Sequence, residues 1–242
     1  MRLRQIAIAS NNLEESELIF KKELNINVAF RDPGVEKFGL NNIVCPVGGE
    51  FLEVVSPFKK GTTAGRYLEK KGGPAGYMTI FQCNDALERR SYLMEKGIRL
   101  VHEMNDPDFI NSQFHPKDIP GALLEIDSVP NNECLEKFSD WPPAGKNWKE
   151  VINENYVLGI AGVTIATEDP FSLGDLWSDV LDAKKVLEED SVFVELENSV
   201  IDFVPKKKGY SDLVGIKLLA TKERIHMGNK INMLGLDIEF IE

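Results

Sequence analysis

Glu125 stands between Leu124 and Ile126 in a short apolar run, Ala122 to Asp127. A carboxylate buried among such neighbours needs a cation or hydrogen-bond donors to meet it. Side chains alternate along a strand, so Glu125 shares a face with Leu123 and Asp127, while Ala122, Leu124 and Ile126 line the other. Two more polar residues sit in comparable runs. Gln5 shares a face with Ala7 and Ala9, whose small side chains leave room above them, and Glu53 sits with Phe51 and Val55. Two carboxylates and an amide converging from separate strands suit a divalent ion with open positions, which would polarise a substrate carbonyl and stabilise the enolate formed when an adjacent proton leaves, with one glutamate carrying the proton and its pKa tuned by the cleft. Each also has a plain structural reading: Gln5 satisfied by neighbouring backbone, Glu53 turned to solvent with Leu52 and Val54 inward.

Just before the Glu125 run lies a polar corner, His115-Pro116-Lys117-Asp118. His115 offers an imidazole and Lys117 an ammonium that can meet a phosphate or carboxylate at a cleft mouth, so both are substrate-binding candidates. A His before Pro serves equally to orient the loop. His102, beside Glu103, faces either cleft or solvent, and His226 reads as a surface helix residue.

The elements that must position these groups follow from an internal repeat. A strand-like run, a polar cap and a helical pattern recur: Leu3 to Ser10 with Asn11-Asn12, Tyr77 to Cys83 with Asn84-Asp85, and Val163 to Thr167 with Glu168-Asp169-Pro170. A weaker fourth copy begins at Val214 to Ala220 and continues through Ile225, Ile231 and Leu234 to Gly235. Further strands are expected after each helix: Asn27 to Arg31, Asn42 to Cys45 and Glu50 to Val55 in the first unit, and in the fourth only Leu236 to Ile241. The word is strand, helix and three strands. It implies an α+β fold of paired βαβββ modules in a cupped mixed sheet, with a truncated second copy. The polar stretch with Trp141-Pro142-Pro143 divides the chain into residues 1–130, a linker at 131–150, and a shorter second unit at 151–242.

Composition narrows the function class. With 242 residues, 43% hydrophobic and 28% charged, the chain has ample length to bury a core. A net charge of −11 argues against nucleic acid or an anionic membrane as partner. Three cysteines, Cys45, Cys83 and Cys134, lack metal-type spacing and fit a reducing, cytoplasmic setting. No apolar stretch is long enough to span a bilayer.

The repeat, together with Gln5-Ile6-Ala7-Ile8-Ala9, Glu53-Val54-Val55-Ser56-Pro57, the Ala64-Gly65 to Met78 stretch and the His115 to Glu125 segment, resembles the vicinal oxygen chelate (glyoxalase, bleomycin resistance, dioxygenase) superfamily. Within it the likeness is nearest to methylmalonyl-CoA epimerases and glyoxalase-like proteins. The resemblance implies a cleft with a divalent metal (Zn, Ni, Co or Mn) held by Gln5, Glu53 and Glu125, and a lyase or isomerase reaction on a small carbonyl or thioester substrate. Glu53, Glu125 and Tyr77 would be the catalytic residues. Tyr77 stands where relatives usually carry a ligating His, and a phenol is a poor ligand for such ions. The alternative the resemblance implies is a metal-free small-molecule binding protein like the bleomycin-resistance members. In the second half, Ala161 or Gly162 and Asp202 take the places of Gln5 and Glu53, which gives no ligand set and implies a structural partner. The short last unit leaves an edge that a second copy could complete as a homodimer.

Overall fold

The computed structural model describes residues 1–130, 135–188 and 191–242. Its first part runs β1 (Arg2–Ala9), α1 (Leu13–Leu24), β2 (Leu40–Val47), β3 (Glu50–Pro57), α2 (Thr63–Lys71), β4 (Ala75–Gln82), α3 (Ala86–Glu95), β5 (Leu100–Asp106), β6 (Phe109–Phe114) and β7 (Leu123–Ser128). Its second part runs β8 (Val157–Thr167), α4 (Pro170–Leu181), β9 (Lys184–Leu187), β10 (Val192–Glu195), β11 (Val200–Pro205), β12 (Asp212–Ala220), α5 (Lys222–His226), β13 (Lys230–Met233) and β14 (Leu236–Ile241).

Each part forms one mixed seven-stranded sheet, ordered β2-β3-β1-β4-β7-β6-β5 and β13-β14-β12-β8-β11-β10-β9. The central pairings match. β1 runs parallel to β3 and antiparallel to β4, and β4 runs parallel to β7. In the second sheet β8, β11, β12 and β14 repeat that pattern.

The expected caps start the helices. Asn12, Asp85 and Asp169 each accept a backbone N–H from the first turn, which satisfies a donor the helix itself leaves free. On β1, Ile6 and Ile8 pack with Phe20 and Leu24 of α1, while Ala7 and Ala9 face the opposite, concave side. The alternation inferred for β1, β3 and β7 therefore holds.

Four expectations change. Asn27 to Arg31 forms only a single bridge, Phe30 to Val44, because Asp32-Pro33-Gly34 turns the chain away from the sheet. The helical pattern of the fourth unit stops at Met227-Gly228, where Gly228 has φ of +126°. The chain then forms a hairpin turned at Leu234 and Gly235, both with positive φ as a two-residue primed turn requires. The last unit is thus shorter than a full module, yet β13 brings the second sheet to as many strands as the first. Helix α2 and strand β9 were not anticipated; Thr62 as N-cap and Gly72 as C-cap were the local signals for α2. Of the cysteines, Cys45 is a buried core residue and Cys83 is partly buried, while Cys134 lies outside the described residues, as does the start of the linker stretch at 131–134.

One continuous apolar core reaches through both sheets, from Leu3, Ile6 and Phe81 to Val163, Trp177 and Phe203. Trp177 of α4 packs edge-on against Phe81 and Phe203 at 6.1 and 5.7 Å and donates its indole N–H to the Pro120 carbonyl at 2.9 Å. A shared core couples the two halves. Denaturant unfolding followed by tryptophan fluorescence and by far-UV circular dichroism is expected to give one coincident transition. Two separated transitions would contradict that coupling.

Candidate active site

The first sheet's concave face is built by two irregularities in the β1–β4 pairing. A register shift between Leu3 and Gln5 puts Arg4 and Gln5 on the same side, and a second, opposite Met78 and Gly76, does the same for Tyr77. Glu53 comes from β3 and Glu125 from β7. Gln5, Glu53 and Glu125 are 2%, 6% and 6% exposed, so their polar atoms must be satisfied within the protein.

Gln5 Nε2 donates to Glu53 Oε2 at 2.9 Å, and Asn42 Nδ2 donates to Glu53 Oε1 at 2.6 Å. Both amides are fixed from behind. Trp141 Nε1 donates to Gln5 Oε1 at 2.8 Å, and the Asp32 backbone N–H donates to Asn42 Oδ1 at 2.8 Å. An indole or a backbone N–H can only donate, so each amide must turn its oxygen toward that donor and its NH₂ toward Glu53. Glu125 accepts from Gln113 Nε2 at 2.7 Å, and its neighbour on the same face, Asp127, accepts from Asn111 Nδ2 at 3.2 Å.

Burial sets the electrostatics. Desolvation pushes Glu53 up to about 7, against the two amide hydrogen bonds that pull it down and with the Glu125 charge adding to the rise. Burial likewise raises Glu125 and, together with Glu125 itself, holds Asp127 well above the carboxylate range. Tyr77 is pushed up to about 12 by burial, so it is a neutral phenol and a donor. It packs on Tyr67 at 5.2 Å between the two apolar clusters of the cup.

Two segments cover the rest of this face. Helix α2 lays Ala64 and Leu68 over Ala9, Leu40 and Val55 at one end. At the other, the stretch expected as a polar linker covers that end with Trp141 and Trp148, each 1% exposed, packed on Ala7, Val44, Phe51 and Ile80. Arg4 lies beneath them, its guanidinium over Phe51, Trp141 and Trp148 at 5.3, 5.4 and 5.8 Å, donating to the carbonyls of Lys137 and Ser139.

His115 and Lys117 are not joined to this group. The Lys117 backbone N–H donates to His115 Nδ1 at 3.1 Å, and the corner is clamped by Arg99 and Asp118. His102, on β5, meets Phe38 edge-on at 5.2 Å, which brings the segment before β2 against the far edge of the sheet. Asn42, Gln113 and Trp141 were missed by sequence reasoning. Asn42 and Gln113 share alternation faces with Val44 and Asn111, a signal too common to select them, and the indole of Trp141 reaches the cup only through tertiary packing.

The divalent metal implied by the resemblance requires oxygen or imidazole ligands facing one point. Here both amides present N–H to the carboxylate at the place where a cation would bind. Among the described residues no group of three or more His, Cys, Asp or Glu side chains is placed to hold an ion. With its oxygen held by Trp141, the Gln5 amide turns no lone pair toward an ion beside Glu53.

No family model matches the chain. It is 24% identical over 132 residues to the ethylmalonyl-CoA/methylmalonyl-CoA epimerase of Cereibacter sphaeroides, which is 53% of this chain and 98% of that protein. A Streptomyces coelicolor methylmalonyl-CoA epimerase variant in complex with 2-nitronate-propionyl-CoA superposes with a TM-score of 0.50 at 20% identity, over 55% of this chain and 98% of its own. A hypothetical protein from Staphylococcus aureus superposes over 99% of this chain and 98% of its own, with a TM-score of 0.73 at 11% identity. This chain has the vicinal oxygen chelate fold. The full-length match extends the likeness to both sheets of that fold, and the epimerase matches cover about half of the chain.

Proposed function

We propose that the first cup is an epimerase-like active site that moves a proton at the carbon next to a thioester carbonyl, without a metal. The observation that carries this reading is the pair of buried carboxylates, Glu53 and Glu125, arriving from different strands with their pKa values raised and with Glu53 placed to titrate near neutrality. A base near the working pH both exists in its charged form and holds the proton strongly enough to take it from carbon. Glu53 removes the proton, Glu125 returns one, and the neutral Tyr77 phenol donates to the enolate oxygen. The amides of Gln5 and Asn42 orient Glu53 and stabilise its charged form. His115 and Lys117 remain candidates for the polar end of the substrate. The kinship with acyl-CoA epimerases supports a small thioester as substrate, and a homodimer in the cytoplasm remains part of the proposal.

A second reading is supported by the same satisfied hydrogen bonds: a metal-free small-molecule binding protein. One experiment separates them. The protein, treated with chelator, is incubated in D₂O with 2-methyl-branched acyl thioesters, including methylmalonyl-CoA, and deuterium uptake at the branched carbon is read by mass spectrometry. Catalysed uptake that persists with chelator present is the expected result. Saturable binding with no uptake above the protein-free control would favour the binding protein, and uptake that appears only on adding metal would overturn the metal-free mechanism.

No helix among the described residues is long and apolar enough to cross a membrane.

A further inference from the structure

The strand register allows the second sheet to be laid on the first. Ala7 pairs with Glu53 as Thr164 pairs with Asp202; Gln5 pairs with Ile80 as Gly162 pairs with Lys217; Ile80 pairs with Glu125 as Lys217 pairs with Glu239. Asp202 and Glu239 therefore occupy the places of Glu53 and Glu125, and a lysine stands between them where the first cup has Ile80. The resemblance points to Ala161 or Gly162 and to Asp202 at these places, and the register selects Gly162 and adds Lys217 and Glu239.

Two features set this second face apart. Trp141 and Trp148 pack one end of the first cup, whereas the second face carries an open groove of about 550 Å³ lined by Thr164, Lys217, Lys230, Asn232, Asp237 and Glu239. The polar groups there are also only partly matched. Lys217 pairs with Asp202 Oδ2, and Lys230 pairs with Glu239 at 3.1 Å near the rim. Asp202 is 4% exposed, and its Oδ1 is buried without a hydrogen-bond partner among the described residues. Asp202 shares a face with its register partner Thr164 and is tied to Lys217, and both of these residues line the groove. An ammonium carries three donors, and the pair with Asp202 uses only part of that capacity.

We propose that the second cup is a distinct ligand site for a small carboxylate bearing an adjacent hydroxyl or amino group. The carboxylate meets Lys217, with Lys230 at the rim, and the neighbouring N–H or O–H donates to the Asp202 and Glu239 side. The three acids of this face, Asp202, Asp237 and Glu239, reject a ligand with negative charge at both ends, because that would set like charges together in a partly desolvated site. This site stands independently of the reading of the first cup.

The test is an amide NMR titration of the full chain with lactate and serine, and with acetate and succinate as controls. Lactate or serine is expected to give saturable shifts at Thr164, Gly215 and Asn232 in the millimolar range, with succinate and acetate giving much weaker ones. Lys217→Met is expected to weaken binding roughly ten- to a hundredfold, the loss of one charge-assisted hydrogen bond. Because that variant leaves Asp202 buried without its partner, Lys230→Ala, at an exposed rim position, provides a second reading and is expected to weaken binding several-fold. No saturable shift with lactate or serine, or equal shifts with all four compounds, overturns the proposal.

Discussion

Glu53→Gln is expected to lower the rate of hydrogen exchange beside the thioester carbonyl by roughly 10²- to 10⁴-fold, the usual contribution of a positioned general base. The substitution preserves shape but leaves no proton acceptor of suitable strength. It also sets an NH₂ group against the donors of Gln5 and Asn42, so circular dichroism must show an intact fold, and Glu125→Gln serves as companion with a comparable loss. The pH profile of the unaltered protein carries the same information. The reaction needs Glu53 ionised, and its carboxyl is pushed up to about 7, so the rate should rise as pH increases through that value rather than through the ordinary 4.5. Stability moves the opposite way. A carboxyl that binds its proton more tightly when folded stabilises the fold below pH 4.5, and this contribution is lost as pH rises through about 7. For this buried group the difference is about 3 kcal/mol, the product of the shift and about 1.4 kcal/mol per pKa unit. Thermal melts from pH 5 to pH 8 that show no decline would count against a shifted Glu53.

Trp141→Ala is expected to destabilise the protein by about 3–5 kcal/mol, because it empties a fully buried indole site and the surrounding sheet can relax only partly. Trp141→Phe separates packing from hydrogen bonding. It keeps most of the ring but removes the N–H that fixes Gln5, leaving Gln5 Oε1 buried without its donor at a cost of about 1–3 kcal/mol. Chemical denaturation of both variants measures the two contributions. The rate of exchange should also fall in Trp141→Phe, since Gln5 is then free to turn its oxygen toward Glu53. If Trp141→Phe matches the unaltered protein in stability, exchange rate and pH profile, Trp141 does not hold Gln5 in the manner described.

The parts of the architecture that could be read from sequence are those where alternation and capping act locally. Gln5 with Ala7 and Ala9, Glu53 with Phe51 and Val55, and Glu125 with Leu123 and Asp127 each declare a shared face through a two-residue period. Asn12, Asp85 and Asp169 declare helix starts through their side-chain oxygens. What could not be read depends on contacts distant in sequence. Nothing local to Trp141 announces that it will bond to a residue 136 positions earlier. The register shifts that swing Arg4 and Tyr77 into the cup arise from pairing across β1 and β4, and neither strand shows them alone. The fourth unit was misread because Ile225, Ile231 and Leu234 fit a helical period, while Gly228 and the turn at Leu234-Gly235 impose a hairpin. The orientation of the Gln5 and Asn42 amides, which turns N–H rather than oxygen toward Glu53, depends wholly on what stands behind them.

Two fixed amides hold Glu53, whose carboxyl burial pushes up to about 7, and the proposed mechanism needs no metal beside it. The measurement that tests it most directly is a ¹³C-carboxyl NMR titration of glutamate-labelled protein in chelator, repeated after adding zinc or manganese, with Glu53→Gln to assign the signal. One resonance, missing in that variant, is expected with a midpoint at about 7 that zinc does not shift and manganese does not broaden selectively. A midpoint at an ordinary carboxylate value, or a metal-induced change confined to Glu53 and Glu125, would contradict it.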